Sequence, residues 1–369
     1  MTEPFEIFLA APPGLEPVLL AEVAERGFAA PRAVAGGVTI SGGWHDVWRA
    51  NLELRGAGRV LARIGQFMAF HLAQLDKRSR RFAWGDVLRA DVPVRVEVTC
   101  QKSKIYHAGA AQQRIETALR EEFGAVIAAD APVTVKVRID DNNVLISVDT
   151  SGGSLHKRGH KEAVGKAPMR ETLAAMFLRQ CGYDGSEPVV DPMCGSGTFV
   201  IEAAEIARGL APGRSRAFAF EHLATFDADA WTALKSGVTP RATDLRFHGS
   251  DRDAGAVRMS RANAERAGVA HITEFSNLSV DGVEPPDGPP GLMIVNPPYG
   301  GRIGNRKLLL ALHGQMGDRL LSRFKGWRVG LITNEPQLAK ATRLPFAKPD
   351  GPVPHGGLKV TLYRTPPLR

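Results

Sequence analysis

Along the first 150 residues, short runs of alternating or apolar residues take turns with amphipathic stretches. "EPFEIFLAA" reads as a strand, and "LEPVLLAEVAERG" spaces its apolar residues as a helix does until Gly27 stops it. "VTISG" is a second strand, followed by the helical "WHDVWRANLEL". Further on come "VRVEVTC", the helical "AGAAQQRIETALREEFG", then "VTVKVRID" and "NVLISVDTS" joined by the turn "DDNN", a hairpin signal. This half predicts small α+β modules. From about residue 165 the pattern changes to strands apolar on both faces, each leading into a helix: "PVVDPMCGSGTFVIEAAEIARG", "LRFHGSDRDAGAVRMSRANAERAG", "GLMIVNPPYG" with "KLLLALHGQMGDRLLSRF", and "WRVGLITN". Repeated βα units of that kind predict a mainly parallel sheet covered by helices. The closing "LKVTLYRT" alternates and suits an antiparallel edge strand.

Composition narrows the class. With 369 residues, 44% hydrophobic and 23% charged, the chain predicts a soluble globular protein of two or three domains. Nothing approaches the ~18 consecutive apolar residues of a membrane span, so no membrane partner is expected. The opening "MTEPFEIFLAAPPG" has Glu3 and Glu6 where a secretory leader needs basic residues, which predicts a cytoplasmic protein. Cys100, Cys181 and Cys194 are too scattered for a disulfide framework or a metal site, so no metal is expected. The formal net charge of +8 favours a polyanionic partner such as nucleic acid. Its densest clusters are "KRSRR" and "HKRGHKEAVGKAPMR". The sequence carries no sign of an obligate protein partner.

"VVDPMCGSGT" runs from a strand into a helix. Glycine allows a tight turn and close approach of the backbone, and the helix start offers free N–H groups to an anion. A dinucleotide would require a small residue where Val200 stands and an acid about 20 positions on, whereas Asp251 lies some 60 away. The phosphate-loop pattern is absent as well. The alternative is S-adenosylmethionine. Its carboxylate would meet the backbone of Gly195, Ser196, Gly197 and Thr198, its ammonium Asp191, and its ribose Asp251. Pro192 and Cys194 complete the loop, Cys194 as a small apolar filler. Asp253 reads as a helix N-cap.

At the end of the fourth βα strand, "NPPY" should open on the same carboxyl edge of the sheet. The Asn296 side-chain oxygen and the Pro297 carbonyl can accept two hydrogen bonds from an exocyclic base amine. Pro298 stiffens the turn, and Tyr299 can stack on the base. C5-pyrimidine chemistry would need a nucleophilic cysteine, and Cys194 is poorly placed for it.

"DPMCGSGTFVIEAA" with "NPPYGGRI" resembles the class I S-adenosylmethionine-dependent methyltransferases that modify exocyclic amines. "CQKSKIYHAGAAQQRI" and "HKRGHKEAVGKAPMRETLAA" resemble the THUMP domain and its exit linker. The combination is similar to the bacterial large-subunit ribosomal RNA guanine-N2 methyltransferases. It implies a ferredoxin-like portion over 1–55, a THUMP RNA-binding domain over 56–152 and a basic linker over 153–168. A Rossmann-like domain with a mostly parallel seven-stranded sheet would follow over 169–369. Lys102, Lys104, Arg158, Lys161 and Lys166 match basic positions of the family segments and are the expected phosphate contacts, with rRNA the leading substrate and tRNA the alternative. DNA adenine-N6 methylation and a non-catalytic RNA-binding assembly role are more distant readings. The chain departs from the family at Gly301, where an acid is common, and in "TEFSNLSVDG", where Asn277 replaces the usual adenine-contacting Asp. The segment 211–231 is inserted before the second strand of the catalytic half. Its Arg214, Arg216, Phe218 and Phe220 are candidates for RNA contact, with the apolar residues expected rather to pack the insertion onto that half.

Overall fold

The computed structural model describes residues 3–162, 169–298 and 306–369. In chain order the front part holds β1 (Phe5–Ala10), α1 (Glu16–Glu25), β2 (Arg32–Val34), β3 (Gly37–Gly42), α2 (Trp44–Glu53), β4 (Val60–Met68), α3 (Leu72–Arg80), β5 (Val94–Gln101), α4 (Ala108–Glu122), β6 (Val133–Asp140) and β7 (Asn143–Asp149). There follow α5 (Glu171–Gln180), β8 (Val189–Asp191), α6 (Thr198–Ala207), α7 (Ala228–Ser236), β9 (Phe247–Ser250), α8 (Ala254–Ala267), β10 (Thr273–Ser276) and β11 (Leu292–Val295). The chain closes with α9 (Arg306–Arg323), β12 (Arg328–Thr333), α10 (Pro336–Ala341), β13 (Val353–His355) and β14 (Leu358–Arg364).

Two compact units emerge. The first takes the residues up to Ala11, Leu19–Leu155 and Arg216–Gly237; the second takes Pro12–Val18, His156–Ser215 and the residues from Val238 on. In the first, seven strands form one sheet in the order β2-β3-β1-β4-β7-β6-β5. The boundary expected at residue 55 falls within this continuous sheet, because β4 pairs with β1 (Ile7↔Ala62) and with β7 (Leu61↔Asp149). The predicted "DDNN" hairpin is present: Asp141 and Asn142 both take left-handed backbone (φ 49° and 60°), as a two-residue type I′ turn requires.

The inserted segment is a surprise. Residues 216–237 cluster with the first unit, not with the second, from which they branch. Phe218 and Phe220 stack at 5.1 Å, Trp231 meets Phe220 edge-on at 5.0 Å, and Trp48 of α2 packs at 6.1 Å. Arg216 donates to the carbonyls of Ser151, Gly153 and Ser154. These aromatic and arginine side chains serve packing; the pattern of the segment alone could not say which core it would fill.

The second unit holds a seven-stranded sheet, β10-β9-β8-β11-β12-β14-β13, parallel from β10 to β12. β14 is antiparallel to β12, as expected, yet it is not the edge, because the short β13 pairs outside it. All four residues of β11 are fully buried. Met293 and Val295 share a core cluster with Val190, Val329, Leu331 and the α9 residues Met316 and Leu320. Ile294 and Gly330 face the other way, and a Cβ on Gly330 would come within 2.8 Å of Cys181 Sγ beyond α5. Strand alternation thus explains why the run is apolar throughout: both faces are covered.

Among the described residues, no helix is long and apolar enough to cross a membrane, and no cluster of His, Cys, Asp or Glu could hold a metal ion.

Candidate active site

β8 ends in Asp191, and the chain turns through Gly195 (φ 55°) and Gly197 (φ 84°) into α6. A Cβ on Gly195 would meet nothing within 4 Å, so the loop leaves open space there. Gly197 has no such freedom: a Cβ would press on Ser260 at 3.1 Å. The loop is fixed from α8, where Ser260 Oγ donates to the Gly195 carbonyl (2.8 Å) and Asn263 Nδ2 to the Ser196 carbonyl (3.0 Å). The sequence reading missed these two residues. Their only signal is polarity at positions that the helical spacing of α8 assigns to its buried face.

Asp191 is buried, and its Oδ1 accepts from the Met193 amide at 3.0 Å. Burial pushes its carboxyl up to about 8, and the nearby Asp251 adds to the effect. A buried carboxylate with a second acid close by is a site that a cation would stabilise. Asp251 accepts from Gly195 N (Oδ2, 3.0 Å) and Asp253 N (Oδ1, 2.9 Å), leaving one lone pair on each oxygen for hydroxyl donors. Asp253 caps α8 through Gly255 N at 2.7 Å, as its spacing predicts. Asn277 lies just past β10, and its Nδ2 donates to the Asp251 carbonyl at 2.9 Å, so it braces the acidic turn. Cys194 is buried against Ser260 Oγ at 3.7 Å, and burial drives its thiol well above the usual range. It fills space and is no nucleophile. An ammonium for Asp191, an anion for the N–H groups opening α6 and a diol for Asp251 are the groups this donor set fits. Those are the groups of the expected sulfonium cofactor.

β8 and β11 pair in parallel at Leu292↔Val189 and Met293↔Val190. Continuing that register sets Ile294 beside Asp191, and Asn296 follows on the same face two residues on. Asn296 Oδ1 is buried, and among the described residues it has no hydrogen-bond partner. An acceptor left this way costs free energy unless a donor arrives. Pro297 is buried and Pro298 half-buried. Tyr299 and Gly301 lie outside the described residues, as does Lys166.

The expected phosphate contacts divide sharply. Lys102 and Lys104 are exposed in the loop after β5, the Lys104 ammonium 5.5 Å from the centre of the Phe70 ring. Arg158 is 2% exposed and pairs with Glu202 of α6 at 3.2 Å. Lys161 Nζ bonds Thr198 Oγ1 (2.8 Å), the Met169 carbonyl (3.1 Å) and Glu171 (3.1 Å). Neither is available to a phosphate, which corrects that expectation. Basic density in a sequence does not distinguish a solvated face from cations that neutralise buried acids. Glu202 and Glu205, buried in an otherwise apolar α6, supply the acids here, with His160 and Arg214 beside Glu205. Gly159 lets this segment pass (φ 95°), since a Cβ would sit 2.3 Å from the Ser215 carbonyl.

Comparison with known proteins places the chain in a family. Residues 158–353 match the family described as RMKL-like, methyltransferase domain, and residues 6–61 match the RlmL ferredoxin-like domain. The ribosomal RNA large subunit methyltransferase K/L of Psychromonas ingrahamii is 32% identical over 346 residues, covering 90% of this chain and 46% of that protein. The chain spans about half the length of the curated relatives it matches. Among solved structures, SMU.472, described as a methyltransferase candidate and complexed with SAH, superposes with a TM-score of 0.89 at 27% identity over 100% of both chains. A Listeria monocytogenes protein described as a predicted N6-adenine-specific DNA methylase gives 0.88 at 28% identity, covering 98% of this chain and 96% of that one. With its methyltransferase half matched from Arg158 to Val353, the chain belongs to the RMKL-like methyltransferase family.

Proposed function

We propose that the protein transfers a methyl group from S-adenosylmethionine to the exocyclic N2 amine of a guanine in large-subunit ribosomal RNA, in the cytoplasm. The observation that carries the reading is the buried Asn296 Oδ1, without a hydrogen-bond partner among the described residues, at the end of the strand that pairs with the one ending in Asp191. S-adenosylmethionine, when bound, supplies a methyl group on a positively charged sulfur. Asp191 would take its ammonium, the Gly195–Thr198 backbone its carboxylate and Asp251 its ribose. Asn296 Oδ1 and the Pro297 carbonyl accept the two N–H bonds of the base amine, which aims the nitrogen lone pair away from them. Catalysis is then chiefly orientation and charge stabilisation. Tyr299 is the proposed stacking partner. The stretch 56–152 is read as the RNA-holding THUMP portion, with Lys102 and Lys104 on phosphates. The relative from Psychromonas, a large-subunit rRNA methyltransferase, supports the substrate class.

The likeness to the Listeria protein favours a second reading, adenine-N6 methylation of DNA. Purified protein with S-adenosylmethionine, offered unmodified large-subunit rRNA, tRNA or DNA, separates them by nucleoside mass spectrometry. N2-methylguanosine in rRNA supports the proposal, the same nucleoside in tRNA alone changes the substrate, and methyladenine in DNA overturns it. Asn296→Ala should slow single-turnover methylation by about 100-fold with SAH binding retained. An unchanged rate would remove Asn296 from the mechanism.

A further inference from the structure

A second acceptor stands unused at the same sheet edge. β11 and β12 run parallel from Leu292↔Arg328 to Val295↔Leu331. Carried one residue on, that register sets Asn296 beside Ile332, and Asn334 follows in the bend that closes the same end of β12. Asn334 Oδ1 is buried and, among the described residues, without a hydrogen-bond partner, as Asn296 Oδ1 is. The backbone on either side is held: Thr333 Oγ1 accepts from Glu335 N at 3.2 Å, and Glu335, which precedes α10, pairs with Arg306 at 3.9 Å. Two adjoining strand ends thus present two amide oxygens, and nothing in the described chain satisfies either.

We infer that Asn334 is the residue that selects guanine, by accepting the N1–H of the base whose N2 amine faces Asn296. The inference rests on the proposed methyl transfer. Guanine offers contiguous donors on this edge, the N2 amine and N1–H, followed by the O6 acceptor. An amide at Asn334 matches them, its oxygen taking N1–H and its nitrogen donating to O6. Adenine offers an amine beside an acceptor, so the Asn334 oxygen would face a lone pair. A site with a buried acceptor rejects a base that lacks the donor, because the acceptor then stays desolvated and unpaired. Two acceptors fit guanine, whereas an exocyclic amine alone would need only the acceptors of "NPPY".

The test uses the full chain, S-adenosylmethionine and unmodified large-subunit rRNA. Mass spectrometry first maps the nucleotide that the wild-type protein methylates. A second transcript carries 2,6-diaminopurine there, which keeps the N2 amine and replaces N1–H by an acceptor. Wild-type kcat/KM should fall by at least about tenfold on the analogue. Asn334→Ala should lose about tenfold on guanine and treat the two bases alike within about twofold, with SAH binding intact. Asn334→Asp keeps the acceptor and should retain part of the preference. A wild-type protein indifferent to the analogue overturns the inference without any variant, as does an Asn334→Ala protein with undiminished preference. If the wild type forms no N2-methylguanosine, the proposed function falls and this inference falls with it.

Discussion

Lys161 Nζ stands 2.8 Å from Thr198 Oγ1 and 3.1 Å from Glu171, so the segment after residue 155 is fastened to the first turn of the helix that follows the glycine loop. Burial pushes the Glu171 carboxyl up, and Lys161 is the chief group opposing that shift. Lys161→Ala would leave a buried acid without its cation. The expected loss in urea unfolding is about 3 kcal/mol, with weaker SAH binding as Thr198 loses its donor. A loss under about 1 kcal/mol would class the pair with exposed bridges.

Asp191 predicts a pH dependence. Its folded-state pKa, near 8, lies above the ordinary carboxylate value, so the folded protein holds a proton that the unfolded chain releases. This contribution to stability is fully present at acid pH, below the unfolded value, and is lost as pH rises through about 8. Binding of a cationic amino group favours the ionised form instead. S-adenosylmethionine affinity should therefore strengthen as pH rises from 6 to about 8, and binding at pH 7 should release a proton. Calorimetry in buffers of different ionisation enthalpy measures that proton directly; no release would show that Asp191 is not the ammonium partner.

Phe220, fully buried among Trp48, Phe226 and Trp231, anchors the inserted segment in the first unit. Phe220→Ala should cost about 3–5 kcal/mol in chemical denaturation. If the segment were a mere surface loop, the change would stay within about 0.5 kcal/mol.

The exposed Lys102 and Lys104 should behave unlike the buried Arg158 and Lys161. Replacing both exposed lysines by Ala should weaken RNA binding and lower the log–log salt slope by about 2, leaving SAH binding unchanged. An unaltered slope would remove them from the phosphate-contact set.

The sequence by itself determined much of this protein. Apolar runs such as Leu292–Val295 announce strands covered on both faces, and glycines at 195 and 197 announce a strand-to-helix turn. Asp191, Asp253 and Asn296 sit where strand ends and helix starts make polar residues informative, and these were legible because period and spacing are local properties. What only the tertiary structure decided is pairing at long range. Arg158 looks like part of an RNA-binding cluster until Glu202, 44 residues on, comes to lie against it, and Lys161 does so until the fold buries its ammonium against Glu171 and Thr198. Phe218 and Phe220 look like packing for their own half until Trp48 receives them. Asn334 looks like a strand end until the parallel pairing of β11 with β12 brings that end next to the one carrying Asn296. Burial converts a charge or an amide from solvated surface into a group that must find its partner, and a pair such as Arg158–Glu202 is too far apart in sequence for any local pattern to show it.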